Sequence, residues 1–121
     1  MAYQQAIVSE SYPYLPIRIS IRGWQQETLA LMDTGFTGDV IIPEDSVPFS
    51  VGSSDGYVDF RVADDRVTSS PLYFADFEIV GLPMIPEVSV GELGSAYIIG
   101  RQIIDLYRIT LEYGQRIIVE V

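Results

Sequence analysis

The stretch from Leu29 to Gly38, with the sequence LALMDTGFTG, places one acidic residue at the end of a strongly apolar segment. Asp33 follows that segment directly. Gly35 comes two residues later, at a point where the backbone must turn or a ligand must approach closely. Asp, Thr and Gly are all favoured in turns, so a plain strand-ending turn would also account for Asp33-Thr34-Gly35. A second motif elsewhere in the chain is needed to distinguish a functional loop from a turn.

The composition restricts the chemistry that the chain can perform. It contains no His, no Cys and no Lys. These absences remove the Ser-His-Asp and Cys-His nucleophile systems, zinc sites built on His and Cys, Schiff-base mechanisms and the lysine of phosphate-binding loops. Acid–base chemistry would have to come from carboxylates, or less readily from Tyr or a metal-bound water. The common carboxylate solutions are aspartic peptidases, glycosidases and hard-metal sites.

The length and the charge of the chain predict its domain organisation, its location and the classes of partner it can have. The 121 residues, 48% of them hydrophobic, predict a single globular domain over residues 1–121. No apolar run is long enough to cross a bilayer, and the N-terminal residues lack the basic region of a signal peptide, which predicts a cytoplasmic protein with no membrane partner. The net charge of −10 repels phosphate backbones, so we expect no nucleic-acid partner.

Short alternating segments separated by turn residues predict an all-β chain. The one helix candidate is residues 101–107, where Ile103, Ile104 and Tyr107 share a face. Many short strands with frequent turns favour a small barrel or sandwich. The predicted strands cover residues 17–22, 27–32, 40–42, 57–62, 66–68, 72–80, 85–90 and 97–99, followed by a final hairpin of residues 108–113 and 116–121.

The second motif is the segment from Tyr97 to Ile104, YIIGRQII, in which an apolar pair and a glycine precede the helix candidate. With this motif the chain resembles the retropepsin-like aspartic peptidases, both the retroviral enzymes and their small bacterial and archaeal relatives. In that family an apolar strand ends in Asp-Thr-Gly, and an apolar-apolar-Gly segment packs beside the resulting loop. The resemblance spans residues 17–121 and implies a small closed or partly open barrel with one short helix near the C-terminus.

The resemblance implies an aspartic endopeptidase in which Asp33 is the catalytic residue and Thr34 and Gly35 support the active site. Such a site needs two aspartates that share one proton, and the chain has a single Asp-Thr-Gly. Two-fold symmetry would supply the second, so the resemblance implies a homodimer with one Asp33 per chain. The substrate would be a peptide or protein. No cofactor is implied, because the two carboxylates and a water suffice.

The resemblance also implies substrate-binding positions. The hairpin of residues 57–68 would be the flap that closes over an extended peptide, although an ordinary solvated turn explains it equally well. Apolar residues near Asp33-Thr34-Gly35 would line substrate subsites. Core packing is, however, the commoner role for buried aliphatic residues. The residues assigned to substrate binding in this way are Thr37, Val40, Ala63, Asp64, Asp65, Ile98 and Ile99.

One position departs from the retroviral pattern. Retroviral members have an acidic residue where this chain has Thr37, and it pairs with the arginine that corresponds to Arg101. Asp39 is the nearest acidic residue that can replace the missing partner, so we predict structural or dimer-supporting roles for Asp39, Gly100 and Arg101. The terminal strand, residues 116–121, either interleaves with its symmetry mate or lies within one subunit.

Three other functions stay open on sequence grounds. A catalytically silent module of the same fold, used for dimerisation or for binding extended peptides, is the main alternative. A glycosidase or a Mg²⁺ site is a second alternative, but the sequence offers no defined second carboxylate for either. An acidic structural or assembly protein is the third. For the peptidase we expect an acidic pH optimum, because mild acid sets the shared proton and reduces repulsion between two chains of net charge −10.

Overall fold

The computed structural model describes residues 5–62 and 64–121. Strands dominate this part of the chain, with one short α-helix and a 3-10 turn at Phe49–Val51. The elements are β1 (Ala6–Ser9), β2 (Tyr14–Ile21), β3 (Trp24–Met32), β4 (Val40–Ile42), β5 (Gly56–Arg61), β6 (Val67–Ile79), β7 (Ile85–Glu92), β8 (Ile98–Ile99), α1 (Arg101–Ile104), β9 (Arg108–Glu112) and β10 (Arg116–Glu120).

Six strands close into a barrel in the order β2-β3-β8-β4-β7-β6, because β6 pairs back with β2. Strand β5 pairs with β6 and extends beyond the barrel. Two pairings, β3 with β8 and β4 with β7, are parallel, and the others are antiparallel. A second sheet has the order β1-β10-β9. The predicted all-β class, closed barrel and short C-terminal helix are therefore confirmed.

Alternation along the strands places the core inside the barrel. In β2, Leu15, Ile17, Ile19 and Ile21 are buried while the residues between them are partly exposed. This is the pattern expected of a strand with one face in the core. Strand β10 contributes Ile117 and Val119 to the same apolar cluster, along with other strands of the barrel. Both sheets thus share one core.

The predicted hairpin of residues 57–68 forms, but its second strand is longer than expected. Residues 66–68 and 72–80 were predicted as separate strands. They belong instead to one strand, β6, that runs through Pro71. Pairing of β6 with β7 begins only at Leu72, so beside Pro71 the strand has β5 as its neighbour on one side. An edge of this kind tolerates the missing N–H of proline.

The helix is shorter than the predicted residues 101–107. It covers Arg101–Ile104 and ends at Asp105. The N–H groups of Leu106 and Tyr107 donate to carbonyls three residues back, so the chain tightens into turns before β9 begins. Ile103 and Ile104 are buried as the apolar face predicted, and Tyr107 is half-buried.

The terminal strand lies within its own chain. Strand β10 is the centre of the second sheet, paired with β9 on one side and with β1 on the other. The sequence did not predict β1, whose four residues carry no turn or periodicity signal of their own and are held by pairing with residues more than 100 positions away. Among the residues described, no helix is long and apolar enough to cross a membrane.

Candidate active site

Asp33 stands at the end of β3, where the barrel sheet stops. Leu31 and Met32 pair in parallel with Ile98 and Ile99 of β8. The ladder continues one residue further, because the backbone N–H of Asp33 donates to the carbonyl of Ile99 at 3.0 Å. The position of the carboxylate is therefore set by a central strand of the barrel and not by a mobile loop.

The loop that follows, residues 33–38 (the DTG loop), turns back on Asp33 itself. The N–H of Gly35 donates to Oδ1 of Asp33 at 2.9 Å, and the N–H of Phe36 donates to the Asp33 carbonyl at 3.3 Å. In the described part of the chain, Gly35 is the only hydrogen-bond partner of this carboxylate, so Oδ2 is open. Asp33 is half-buried, while Thr34 and Gly35 are exposed. The loop thus presents a held carboxylate beside two residues that face solvent.

The second motif is bonded to the DTG loop and its continuation through the backbone. Gly100 donates its N–H to the carbonyl of Asp39 at 2.8 Å, Arg101 donates to Phe36 at 2.8 Å, and Gln102 donates to Gly38 at 3.2 Å. A Cβ atom on Gly100 would lie 2.2 Å from the carbonyl oxygen of Gly38. Only glycine permits this approach, so the packing predicted for residues 98–101 is formed.

Asp39 and Arg101 do not pair with each other in this chain. Oδ2 of Asp39 accepts the backbone N–H of Ser89 at 2.9 Å, and Arg101 approaches Asp105 at 3.5 Å. Asp105 lies four residues after Arg101, and side chains at this spacing are neighbours on the surface of a helix. The hypothesis that Asp39 replaces the retroviral partner of this arginine is therefore wrong for the single chain. The position of that retroviral partner is occupied by Thr37, which is exposed.

The tip of the hairpin is solvated. Asp64 and Asp65 are exposed, and Ala63 lies outside the described residues. Asp65 has a φ of 63°, in the left-handed region, and Arg66 donates to the carboxylate of Asp64 at 2.8 Å. This hydrogen bond holds the pKa of the Asp64 carboxyl below its usual range. The predicted turn is present, and its two described acidic residues do not contact the DTG loop.

The inner face of β5, which carries Val58 and Phe60, approaches the DTG loop. The ring of Phe60 in β5 lies 6.0 Å from the ring of Phe36, measured between centroids, at an angle of 55°. Phe60 also packs over Gly91 of β7, where a Cβ atom would lie 2.7 Å from the ring. Tilted aromatic pairs of this kind stabilise a contact beyond the area they bury. Phe60 therefore connects the hairpin both to the DTG loop and to β7 of the barrel.

Between the inner face of β5 and the DTG loop lies a cavity of about 240 Å³. Val40, which the resemblance assigned to substrate binding, borders the cavity, but only 2% of its surface is exposed and it belongs to the core. Ile99 is fully buried in the core, and neither it nor Ile98 lines this cavity. The other lining residues are Phe36, Gly38, Asp39, Val58, Phe60, Leu72, Ser89, Gly91 and Gln102.

Most of these lining residues were not predicted from the sequence. Val58 and Phe60 carried a usable signal, because the alternation of residues 57–62 places both on one face of β5. Leu72 and Ser89 carried none, since their positions depend on how β6 and β7 pair. In the described chain no three Asp or Glu side chains lie close enough together to hold a metal ion.

Similarity to known proteins was found at the level of structure. The chain superposes on a retropepsin-like aspartic protease from Rickettsia conorii with a TM-score of 0.63, over 98% of this chain and 92% of that one. The chain has the retropepsin fold. Sequence identity to the Rickettsia protein is 9%, so the likeness concerns the fold alone. No protein-family model and no curated protein sequence matches the chain.

Within this retropepsin fold a single chain offers one carboxylate for acid–base work. One carboxylate can take a proton from water, but it cannot at the same time supply a proton to a leaving group. Asp33 has an open oxygen and a fixed orientation, which suits either task. The chemistry of the site thus depends on whether a second acid is brought to it.

Proposed function

We propose that the protein is an aspartic endopeptidase that acts as a homodimer, with one Asp33 from each chain. The observation that carries the proposal is the placement of Asp33. Asp33 is half-buried and directly follows the strand β3, its backbone N–H donates to the carbonyl of Ile99, and its carboxylate has one open oxygen. It occupies this place in a fold shared with a retropepsin-like aspartic protease.

In the proposed dimer the two Asp33 carboxylates lie close to the symmetry axis. Like charges at short distance cannot both ionise, so the pair holds one proton and titrates as a unit. The ionised carboxylate takes a proton from a water molecule, which attacks the peptide carbonyl. The protonated carboxyl donates a hydrogen bond to that carbonyl oxygen, and a proton passes to the leaving amine. The N–H of Gly35 orients Oδ1 of Asp33 for this exchange.

Thr34 and Gly35 of the DTG loop are exposed, so they can contact a second chain or a substrate. Thr34 is exposed, and in the described part of the chain its hydroxyl makes no hydrogen bond. In the dimer it braces the two loops across the axis. Gly35 has no side chain to keep a substrate backbone away from the two carboxylates. Both residues therefore support the site, while Asp33 performs the proton transfers.

The second sheet limits how the two chains can join. Strand β10 already has a neighbour on each side, so a partner cannot insert beside it. Only the outer edges of β1 and β9 can accept another strand. A partner strand added at either of these edges would not displace a strand of either chain.

The deciding experiment measures cleavage of a mixture of denatured-protein peptides from about pH 3 to about pH 7. Wild type is compared with Asp33→Asn over a range of protein concentrations. We expect cleavage in mild acid that is lost in Asp33→Asn, by at least about a thousandfold, because the variant cannot exchange the proton. We also expect the rate to rise faster than linearly with protein concentration, because activity requires dimers.

Asp59→Asn is the matched control, since it removes one exposed carboxylate from the outer face of the hairpin. Its cleavage rate should equal that of wild type. If a folded, dimeric wild-type protein cleaves nothing at any pH but binds extended peptides, the catalytically silent module is the correct function. A rate that is strictly linear in protein concentration down to high dilution would contradict the shared site.

A further inference from the structure

The cavity between the DTG loop and the inner face of β5 has room for one substrate side chain. Its volume of about 240 Å³ is many times the roughly 10–15 Å³ that one water molecule needs when the volume is measured in the same way. An extended peptide alternates its side chains between two faces. A peptide held between the hairpin and the DTG loop therefore directs one of them into the cavity.

The cavity has apolar walls and one charged group. Val40, Val58, Phe60 and Leu72 form apolar wall, and Asp39 brings a carboxylate. Oδ2 of this carboxylate accepts the N–H of Ser89, another lining residue, at 2.9 Å. Over the described residues no donor reaches Oδ1, so this oxygen is available to a ligand.

The charge of Asp39 has no counter-ion in the chain. None of the ion pairs formed by residues 5–62 and 64–121 includes it. Asp39 is half-buried, and a bound peptide would remove more of its water. Covering an ionised carboxylate without a partner is unfavourable, so an apolar side chain in the cavity gains little and an acidic one is repelled.

We infer that this cavity is a subsite for a lysine or arginine side chain of a peptide substrate, and that Asp39 recognises the charge. The inference rests on the proposed peptidase function. The aliphatic stem of lysine or arginine packs against Val58, Phe60 and Leu72, as such stems commonly do on apolar surfaces. The cationic end forms a charge-assisted hydrogen bond with Asp39, and the amide of Gln102 provides a further acceptor.

The charge of the whole chain acts in the same direction. A net charge of −10 attracts cationic peptides and repels acidic ones before any specific contact is made. This general attraction would be felt by a basic residue at any peptide position. A true subsite differs from it because the preference must be confined to one position and must depend on Asp39.

The test measures binding by the Asp33→Asn protein, so that cleavage does not interfere. The probes are fluorescent peptides of one apolar sequence that carry a single Lys, Arg, Met or Glu at successive positions, and the readout is fluorescence anisotropy. At one position we expect Lys or Arg to bind about tenfold more tightly than Met, with Glu weakest. Adding Asp39→Asn, which keeps an acceptor for the Ser89 N–H, should remove this preference. Adding Asp59→Asn, which removes the same charge from the outer face of the hairpin, should leave it unchanged.

Three results would overturn the inference: no dependence on the varied residue, a preference that survives Asp39→Asn, or no binding of any peptide. Loss of the dimer in Asp39→Asn, measured by sedimentation, would also overturn it, because Asp39 would then act at the subunit interface. Cleavage by wild type is measured in parallel and judges the proposed function separately. Asp39-dependent binding without Asp33-dependent cleavage supports the subsite and rejects the peptidase.

Discussion

Gly100 links the two motifs of the site through a contact between backbones. Its N–H donates to Asp39, and its missing side chain leaves room for the carbonyl of Gly38. Its φ of −95° is open to any residue, so conformational freedom is not the reason for a glycine here. The close approach is the reason, and it holds the DTG loop against α1.

At this position we predict that Gly100→Ala destabilises the protein by about 3 kcal/mol, because the added Cβ would meet a backbone oxygen that cannot move aside independently. Urea unfolding measures the change in the free energy of unfolding. Gly56→Ala is the control, since a Cβ atom there meets nothing within 4 Å. We expect it to stay within about 0.5 kcal/mol of wild type. Equal stability of the two variants would contradict the contact.

Asp55 is a second residue whose surroundings make a measurable prediction. It accepts the backbone N–H of Phe74 at 2.9 Å and pairs with Arg22 at 2.5 Å. The hydrogen bond from Phe74, followed by the bond from Arg22, lowers the pKa of the Asp55 carboxyl below its usual value of 3.8. The carboxylate therefore links the start of β5 to β6 and to the turn after β2.

Because the pKa of Asp55 is lower in the folded protein than in the unfolded chain, its contribution is fully present at neutral pH. It is lost as the pH falls below about 4 and through the folded-state pKa. We predict that Asp55→Asn lowers stability at neutral pH and flattens the loss of stability below about pH 4. The measurement is the free energy of unfolding in urea from about pH 2 to about pH 7. Asp59→Asn should follow the wild-type curve, and a parallel curve for Asp55→Asn would disprove the linkage.

At the scale of elements, the hairpin of β5 and β6 is the part of the fold that lines one side of the cavity beside the DTG loop. It leaves the barrel where β6 stops pairing with β7, and it touches the barrel again through Phe60, which pairs with Thr68 close to the tip. The acidic residues of the tip itself, Asp64 and Asp65, are exposed. The contact between Phe60 and Phe36 therefore joins the hairpin directly to the DTG loop.

A double-mutant cycle tests this junction. Phe36→Leu and Phe60→Leu, singly and together, should show a coupling free energy of about 1 kcal/mol, as expected for a tilted aromatic pair. The readout is unfolding in urea. The same cycle between Phe36 and the exposed Phe74 should show no coupling. Additive effects for Phe36 and Phe60 would mean that the hairpin is not held by this contact.

At the scale of the whole molecule, charge opposes the assembly that the proposed function needs. The chain has seventeen acidic residues and seven arginines, so a dimer brings together two chains of net charge −10. Repulsion of this kind weakens association most at neutral pH and low salt. Protonation of carboxylates in mild acid relieves it, in the same pH range where a carboxylate pair would hold its shared proton.

We therefore predict that salt strengthens the dimer at neutral pH. Raising the salt from about 0.1 M to about 1 M shortens the screening length from about 10 Å to about 3 Å, and the dimer dissociation constant should fall several-fold. Sedimentation equilibrium measures this constant. Near the isoelectric point of about 4.1 the salt effect should disappear. A dimer that dissociates in high salt at neutral pH would show that attractive ion pairs, and not repulsion, dominate the interface.

Local patterns in the sequence predicted much of this protein. The apolar segment before Asp33, the alternation in β2 and β5, and the glycine before α1 each belong to a few adjacent residues. Such patterns report directly which face of a strand is buried and where a chain turns. They were enough to predict an all-β barrel or sandwich and to single out Asp33-Thr34-Gly35. The resemblance carried by the two motifs implied the rest, namely the small closed or partly open barrel and the packing of the segment before α1 against the DTG loop.

The features that only the tertiary structure decided all depend on residues far apart in the chain. Strand β1 exists because β10 pairs with it, and β6 runs through Pro71 because β7 joins only at Leu72. Asp39 meets Ser89 and not Arg101. The walls of the cavity come from four strands, α1, the DTG loop and Asp39. The stability of a strand pair, and the shape of a pocket, depend on residues distant in the sequence, which no local pattern identifies. The sequence by itself therefore determined the kind of fold and the position of the carboxylate, and tertiary packing decided what surrounds it.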